Sequence, residues 1–177
     1  MEEYRSMNMS CAECGSDRVT VERNAVIRYT IGGLDHVTLQ GLEIKRCGEC
    51  GDEAIKIPRI GQLHRLLADH IIRQPRLPLG AEIRFLRKHL GLSTQDFAKC
   101  MAVTRETVSR WENDRDHPMG EQSDHLLRAL VESHQPSQNY AVDDLLRDLP
   151  EPLDKPKAVN FSVQNATTGW QLEPAPV

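Results

Sequence analysis

The sequence predicts an α+β protein: a small β-rich four-cysteine zinc domain, a linker helix, an all-α helix-turn-helix domain and a largely extended C-terminal tail. Three observations carry this. Two Cys-x-x-Cys pairs, Cys11–Cys14 and Cys47–Cys50, bracket a stretch rich in β-branched residues and broken by Gly32-Gly33. Apolar residues then recur at helical spacing from Ile60 to Ile71, with prolines on both sides. Finally, 90–118 combines a capping pattern, a short apolar break and an inward aromatic at the spacing of two short helices. The boundaries that follow are 1–57, 58–75, 76–135 and 136–177.

Composition narrows the class. Apolar residues make up 39% of the 177 and aromatics 5%, so each core is small and aliphatic. Domains of that size commonly need a metal or disulfide staple. No apolar run approaches the roughly 20 residues of a membrane helix. The opening MEEYRSMNMS is acidic, unlike a secretory signal, so a cytoplasmic location is expected. A net charge of −4 is unusual for a DNA binder, yet residues 76–135 carry nine basic and nine acidic side chains. Any basic surface must therefore be local, drawn from Arg84, Arg87, Lys88, Arg105, Arg110 and Arg115. Such modest electrostatics favour a homodimer on two half-sites over a tight monomer.

Each cysteine pair is followed at once by a glycine, Gly15 or Gly51. This reads as a zinc knuckle, in which a tight turn aims two thiolates at one ion and backbone N–H groups at the sulfurs. Two knuckles supply a closed tetrahedral site for one structural Zn2+ per chain, held by Cys11, Cys14, Cys47 and Cys50. The gap of 32 residues between the pairs is filled by strands, 19–26 and 27–31, then 37–39 and 42–44 beyond the Gly32-Gly33 turn. Two rival readings use the same cysteines. Matched pairs in a cytosolic chain favour metal over redox disulfides. A catalytic zinc needs an open position, which four thiolates do not leave, and no His-x-Glu or His-Glu-x-x-His accompanies them. His36 is a lesser candidate ligand. Cys100, alone, reads as a small buried apolar residue.

Pro58 is suited to a helix's first position. Ile60, Leu63, Leu67 and Ile71 then give an amphipathic helix to about Gln74, with His64 and His70 read as solvated flanks. Its apolar stripe needs a cover, either a second copy of the chain or the flanking domains. Next, Ile83, Leu86 and Leu90 form the inward stripe of a helix whose Arg84, Arg87 and Lys88 point outward. Ser93 with Asp96 caps the following helix, and Phe97, Ala98 and Met101 share its inner face. Thr104 caps the next, where Val108 and Trp111 point in. Arg105, Glu106, Ser109 and Arg110 are left on the outer face, near the end that enters a major groove. Arginine suits bidentate guanine contact; equally, Glu106 and Arg110 are spaced for a solvated ion pair. Leu126, Leu127 and Leu130 close the bundle within 123–131. Beyond Pro136 only 142–149 has a helical pattern, while 159–163 alternates like a strand. A disordered tail and a segment ordered by a partner, a dimer mate among them, both remain open, Trp170 being costly to leave in water.

The stretch LGLSTQDFAKCMAVTRETVSRWEN resembles the Xre-type helix-turn-helix family. That resemblance implies DNA contact at Thr94, Arg105, Glu106 and Arg110, with Trp111 and Glu112 ending the recognition helix. The segment NDRDHP departs from it, many members having a glycine there. With the two Cys-x-x-Cys pairs ahead of it, the chain is similar to the MqsA-type antitoxin family, a YgiT-type zinc finger followed by an Xre-type helix-turn-helix. The likeness implies zinc ligation by the four cysteines, a homodimer on a palindromic operator, autorepression and a ribonuclease toxin as partner. Arg110, in Ser109–Glu112, matches a DNA-contacting arginine of the family. Glu106 stands where the family has a base-reading asparagine, and the tail has no counterpart in compact members. A DNA-binding autorepressor is thus expected. The alternative is a protein-interaction module whose zinc domain neutralises the toxin. An enzyme is not expected, since no nucleophile, base and orienting group fall together.

Overall fold

Strand alternation that changes phase needs an extra residue, and both long strands have one. The strands β1 (Val19–Tyr29) and β2 (Leu34–Cys47) form an antiparallel pair that turns through a short 3-10 segment, Thr30–Gly32. Gly33 closes that turn at φ 76, a left-handed conformation that glycine adopts without penalty. On β1, Asn24 (φ 59) is the extra residue between the pairs Arg23–Glu43 and Ala25–Leu42. On β2 the step from Leu42 to Leu39 spans Gly41 (φ 74), so the buried residues change from Val37 and Leu39 to Leu42 and Ile44.

The computed structural model describes residues 10–114, 116–134 and 160–173. A third strand, β3 (Glu53–Lys56), pairs antiparallel with one end of β2. Farther along the same edge, β4 (Phe161–Ala166) runs parallel to β2 and turns back as β5 (Gly169–Leu172). Over residues 160–173 the tail is a β-hairpin, ordered by its own chain rather than by a partner. Val163 is fully buried and Trp170 is 4% exposed. The Trp170 indole N–H donates to the Pro58 carbonyl at 2.8 Å. The helical pattern at 142–149 and Arg115 lie outside the described residues.

Five helices follow the sheet: α1 (Ile60–Ile72), α2 (Gly80–His89), α3 (Thr94–Cys100), α4 (Arg105–Asn113) and α5 (Glu121–His134). Helix α1 starts later than Pro58 suggests, because Arg59 precedes it in a left-handed conformation. Its stripe of Leu63, Leu67, Ala68, Ile71 and Ile72 is buried by the sheet hairpin and by α2 and α5. A second copy is not needed to cover it. His64 and His70 are not solvated flanks either. His64 Nε2 lies 2.7 Å from the Tyr29 hydroxyl, and the His70 ring sits 4.2 Å from that of Phe161. Burial lowers the pKa of both. One apolar core runs from Leu39 and Val163 through Leu67 to Leu86, Phe97 and Val131.

Two buried polar clusters tie the layers. Glu82, with no exposed surface, accepts from Arg76 at 2.7 and 2.8 Å and from the Leu79 N–H at 2.7 Å, and meets His36 of β2 at 3.0 Å. His36 thus serves this junction and not the cysteines. Arg128 of α5, 2% exposed, pairs with Asp124 at 2.7 Å and donates to the carbonyls of Ile72, Gln74 and Arg76. The guanidinium satisfies the carbonyls left open where α1 ends. Arg128, not Leu126, occupies the inner face of α5. Leu126 is 41% exposed, since it lies about 100° round the helix from Leu127. No described helix is long and apolar enough to cross a membrane.

Candidate metal centre and nucleic-acid interface

The two Cys-x-x-Cys turns fold alike. The Gly15 N–H reaches the Cys11 carbonyl at 2.9 Å, and the Gly51 N–H reaches that of Cys47 at 3.1 Å. Each glycine has positive φ, 72 and 76, which lets the next residue return its carbonyl to the first cysteine's N–H: Ser16 to Cys11 and Asp52 to Cys47, both 2.9 Å. A bond from the Gly48 N–H to the Arg18 carbonyl, 2.7 Å, and the pairing of Val19 with Cys47 hold the knuckles together.

All four sulfurs lie within 4.8 Å of one another, with Cys11–Cys50 and Cys14–Cys47 each at 3.6 Å. A disulfide would need about 2.05 Å. Four sulfurs about 2.3 Å from a tetrahedral ion stand about 3.8 Å apart, close to the distances found. The donor set therefore fits a metal. Its electrostatics agree. The Asp52 N–H favours the Cys50 thiolate, but hydrogen bonds with Cys14, Cys11 and Cys47, together with burial, push that thiol up to about 12. Hydrogen bonding from Cys50's backbone and from the other thiols lowers Cys47 instead. A cation shared by the four sulfurs would favour the thiolate form of each. Cys100 belongs to no such cluster. It is exposed rather than buried, because on α3 it points about 100° away from the face of Phe97, Ala98 and Met101.

The second site is built on α3 and α4. Ser93 accepts from the Asp96 N–H at 3.1 Å, and Thr104 accepts from the Thr107 N–H at 3.2 Å, so both caps form as the sequence indicates. The turn between them is tight: Ala102 takes φ 52, and the Val103 N–H returns to the Ala98 carbonyl at 3.0 Å. Val108 and Trp111 anchor α4 inward, at 0% and 8% exposure. Arg105, Glu106, Ser109 and Arg110 are exposed on its other face, and Thr94 is half-buried at the start of α3.

Among the described residues the guanidinium groups of Arg105 and Arg110 have no hydrogen-bond or ion-pair partner. The Glu106–Arg110 ion pair that the spacing allows is not formed. Glu106 is instead held at the helix start by its own backbone N–H and the Thr104 side chain, which lower its pKa, with the charges of Arg105 and Arg110 adding.

The far end of α4 is clamped to α2, and here sequence reasoning missed the important residues. Arg87, expected outside, is 8% exposed. It donates to Glu112 at 2.6 and 3.1 Å and to the Leu92 carbonyl at 3.0 Å. Arg84 adds a bond to Glu112 at 3.3 Å and reaches Asn113, whose amide donates to the Ser109 carbonyl at 2.8 Å. Beside this pair Gly80 lies so close to α4 that a Cβ would stand 2.7 Å from the Trp111 and Glu112 carbonyls. Of the expected basic surface, Lys88, Arg105 and Arg110 are exposed, while Arg87 is structural and Arg84 is occupied. Helix α2 is flanked by α1, α4 and β2.

A family model described as a helix-turn-helix matches residues 83–130, from the first turn of α2 into α5. This match supports a DNA-binding regulator. No curated protein and no solved structure gives a significant match to the chain.

Proposed function

We infer that the protein is a zinc-stabilised homodimeric transcriptional regulator, an antitoxin-like autorepressor that binds a palindromic operator in the cytoplasm. The observation that carries the DNA reading is the state of Arg105 and Arg110. Both are exposed and without partners among the described residues, Arg105 in the first turn and Arg110 in the last turn of a helix whose other face is fixed by Val108, Trp111 and the Glu112 clamp. Phosphate contacts by neighbouring groups such as Thr94 would set register, while Arg105, Glu106, Ser109 and Arg110 would meet base edges. Changing Arg110 to Ala should weaken operator binding by about 1–3 kcal/mol and leave the oligomeric state unchanged. An unaltered footprint would remove Arg110 from the interface.

The four sulfurs support one structural Zn2+ per chain, because a closed thiolate site matches their spacing and leaves no position for a reacting water. No catalytic role is assigned. A zinc-bearing module (1–57 with the 160–173 hairpin added), the connecting helix of 58–75 and the helix-turn-helix of 76–135 are the working units. A second reading gives the zinc-bearing module a protein partner, a ribonuclease-type toxin. It is favoured by Val26 and Ile31, 61% and 69% exposed, beside an edge of β1 that is unpaired among the described residues. Pull-down of a neighbouring gene product that fails with Val26→Asp would support it.

A further inference from the structure

A cavity of about 480 Å³ lies between α1, the end of α2, α5 and β5. Its size falls within the roughly 300–1,000 Å³ of small-molecule sites, which favour junctions between structural units. Ala68, Ile72, Val131 and Trp170 line it, and none is more than 4% exposed. The Trp170 N–H is occupied by the Pro58 carbonyl, so the indole contributes apolar surface. His89 also lines it, and burial, followed by the charges of His134, His64 and Arg65, lowers its pKa.

The charged groups at the wall are unequal. Asp69 is neutralised by Arg73 at 2.6 Å, and Glu132 is buried and already partnered. Arg65 is exposed, and among the described residues its guanidinium has no hydrogen bond or ion pair. Among the described residues the cavity thus offers an apolar, aromatic-lined floor with one uncommitted cation at its wall. A carboxylate suits that guanidinium, which binds it in a fork geometry.

We propose that this cavity binds a planar aromatic carboxylate, the ring on Val131 and Trp170 and the carboxylate on Arg65. The test uses the full zinc-loaded chain without DNA, so binding holds or fails separately from operator recognition. The probes are 2-naphthoate and its neutral isostere 2-naphthamide, titrated by calorimetry, with intermolecular NOEs to the Val131 methyls to locate the ligand. The expected result is saturable binding of one naphthoate per chain, at least tenfold tighter than the amide, with NOEs to Val131. Arg65→Gln, a surface change, should abolish the preference for the acid. Absence of saturable binding, equal affinity for acid and amide, or binding without Val131 NOEs would overturn it.

Discussion

Replacing Glu112 by Gln tests whether the Arg87–Glu112 pair sets the placement of α4. The substitution keeps the shape of the side chain and removes its charge. Arg87 and Glu112 have side-chain exposures of 10% and 6%, so water compensates little. Removing one partner of a buried ion pair costs about 3–5 kcal/mol, mostly from the charge left behind. Arg87 keeps its bond to the Leu92 carbonyl, and Arg84 is 42% exposed, which places the cost near the lower end, about 3 kcal/mol. For a chain of this size that is a fall in Tm of about 6–12 °C. Calorimetry should show it as one transition. Arg87→Met should cost a similar amount, and the double variant less than the sum of the two. A Tm for Glu112→Gln within about 2 °C of the parent would refute the reasoning.

Three further outcomes follow from the same geometry. Burial alone would raise the Glu82 carboxyl, but hydrogen bonds from Arg76 and His36 hold it at about 2. A depressed carboxylate adds stability above its unfolded pKa of about 4.3, on the order of 3 kcal/mol, and that is lost as pH falls toward 2. The stability gap between parent and Glu82→Gln should therefore be full at pH 7 and close between about pH 4.3 and 2; a gap independent of pH would contradict this. Chelation should release one zinc per chain and raise the thiols that react rapidly from Cys100 alone to all five cysteines. Equal reactivity before and after would exclude a resident metal. Trp170→Ala should destabilise the whole chain by about 3–5 kcal/mol, since the residue belongs to the continuous core. A loss under about 1 kcal/mol in urea unfolding would make the hairpin peripheral.

What was legible in the sequence was local. The caps at Ser93 and Thr104, the inward Val108 and Trp111, the hairpin turn at Gly33 and the matched knuckles all rest on contacts a few residues apart. What was not legible depends on partners far along the chain. Nothing near Arg87 announces Glu112, 25 residues away, and Arg128 has its carbonyl partners 52–56 residues back. Both look like solvated helix charges until the packing is known. Strand β3, only four residues long, alternates too briefly to register. The strand-like alternation at 159–163 overlaps β4 only over 161–163, and the strand's parallel partner, β2, lies more than a hundred residues earlier. Cys100 and Leu126 are apolar in type but exposed, because angular position on the helix, not residue type, decides which side chain faces the core.

The most direct test of the central claim is selection of bound sites from a pool of random DNA duplexes, run in parallel on the zinc-loaded protein and on Arg105→Ala/Arg110→Ala. Enrichment of one two-fold-symmetric site by the parent, lost in the variant while its fold and oligomeric state persist, is the predicted result. A parent that enriches no sequence, or a variant that enriches the same site equally well, would show that α4 does not read DNA through these arginines.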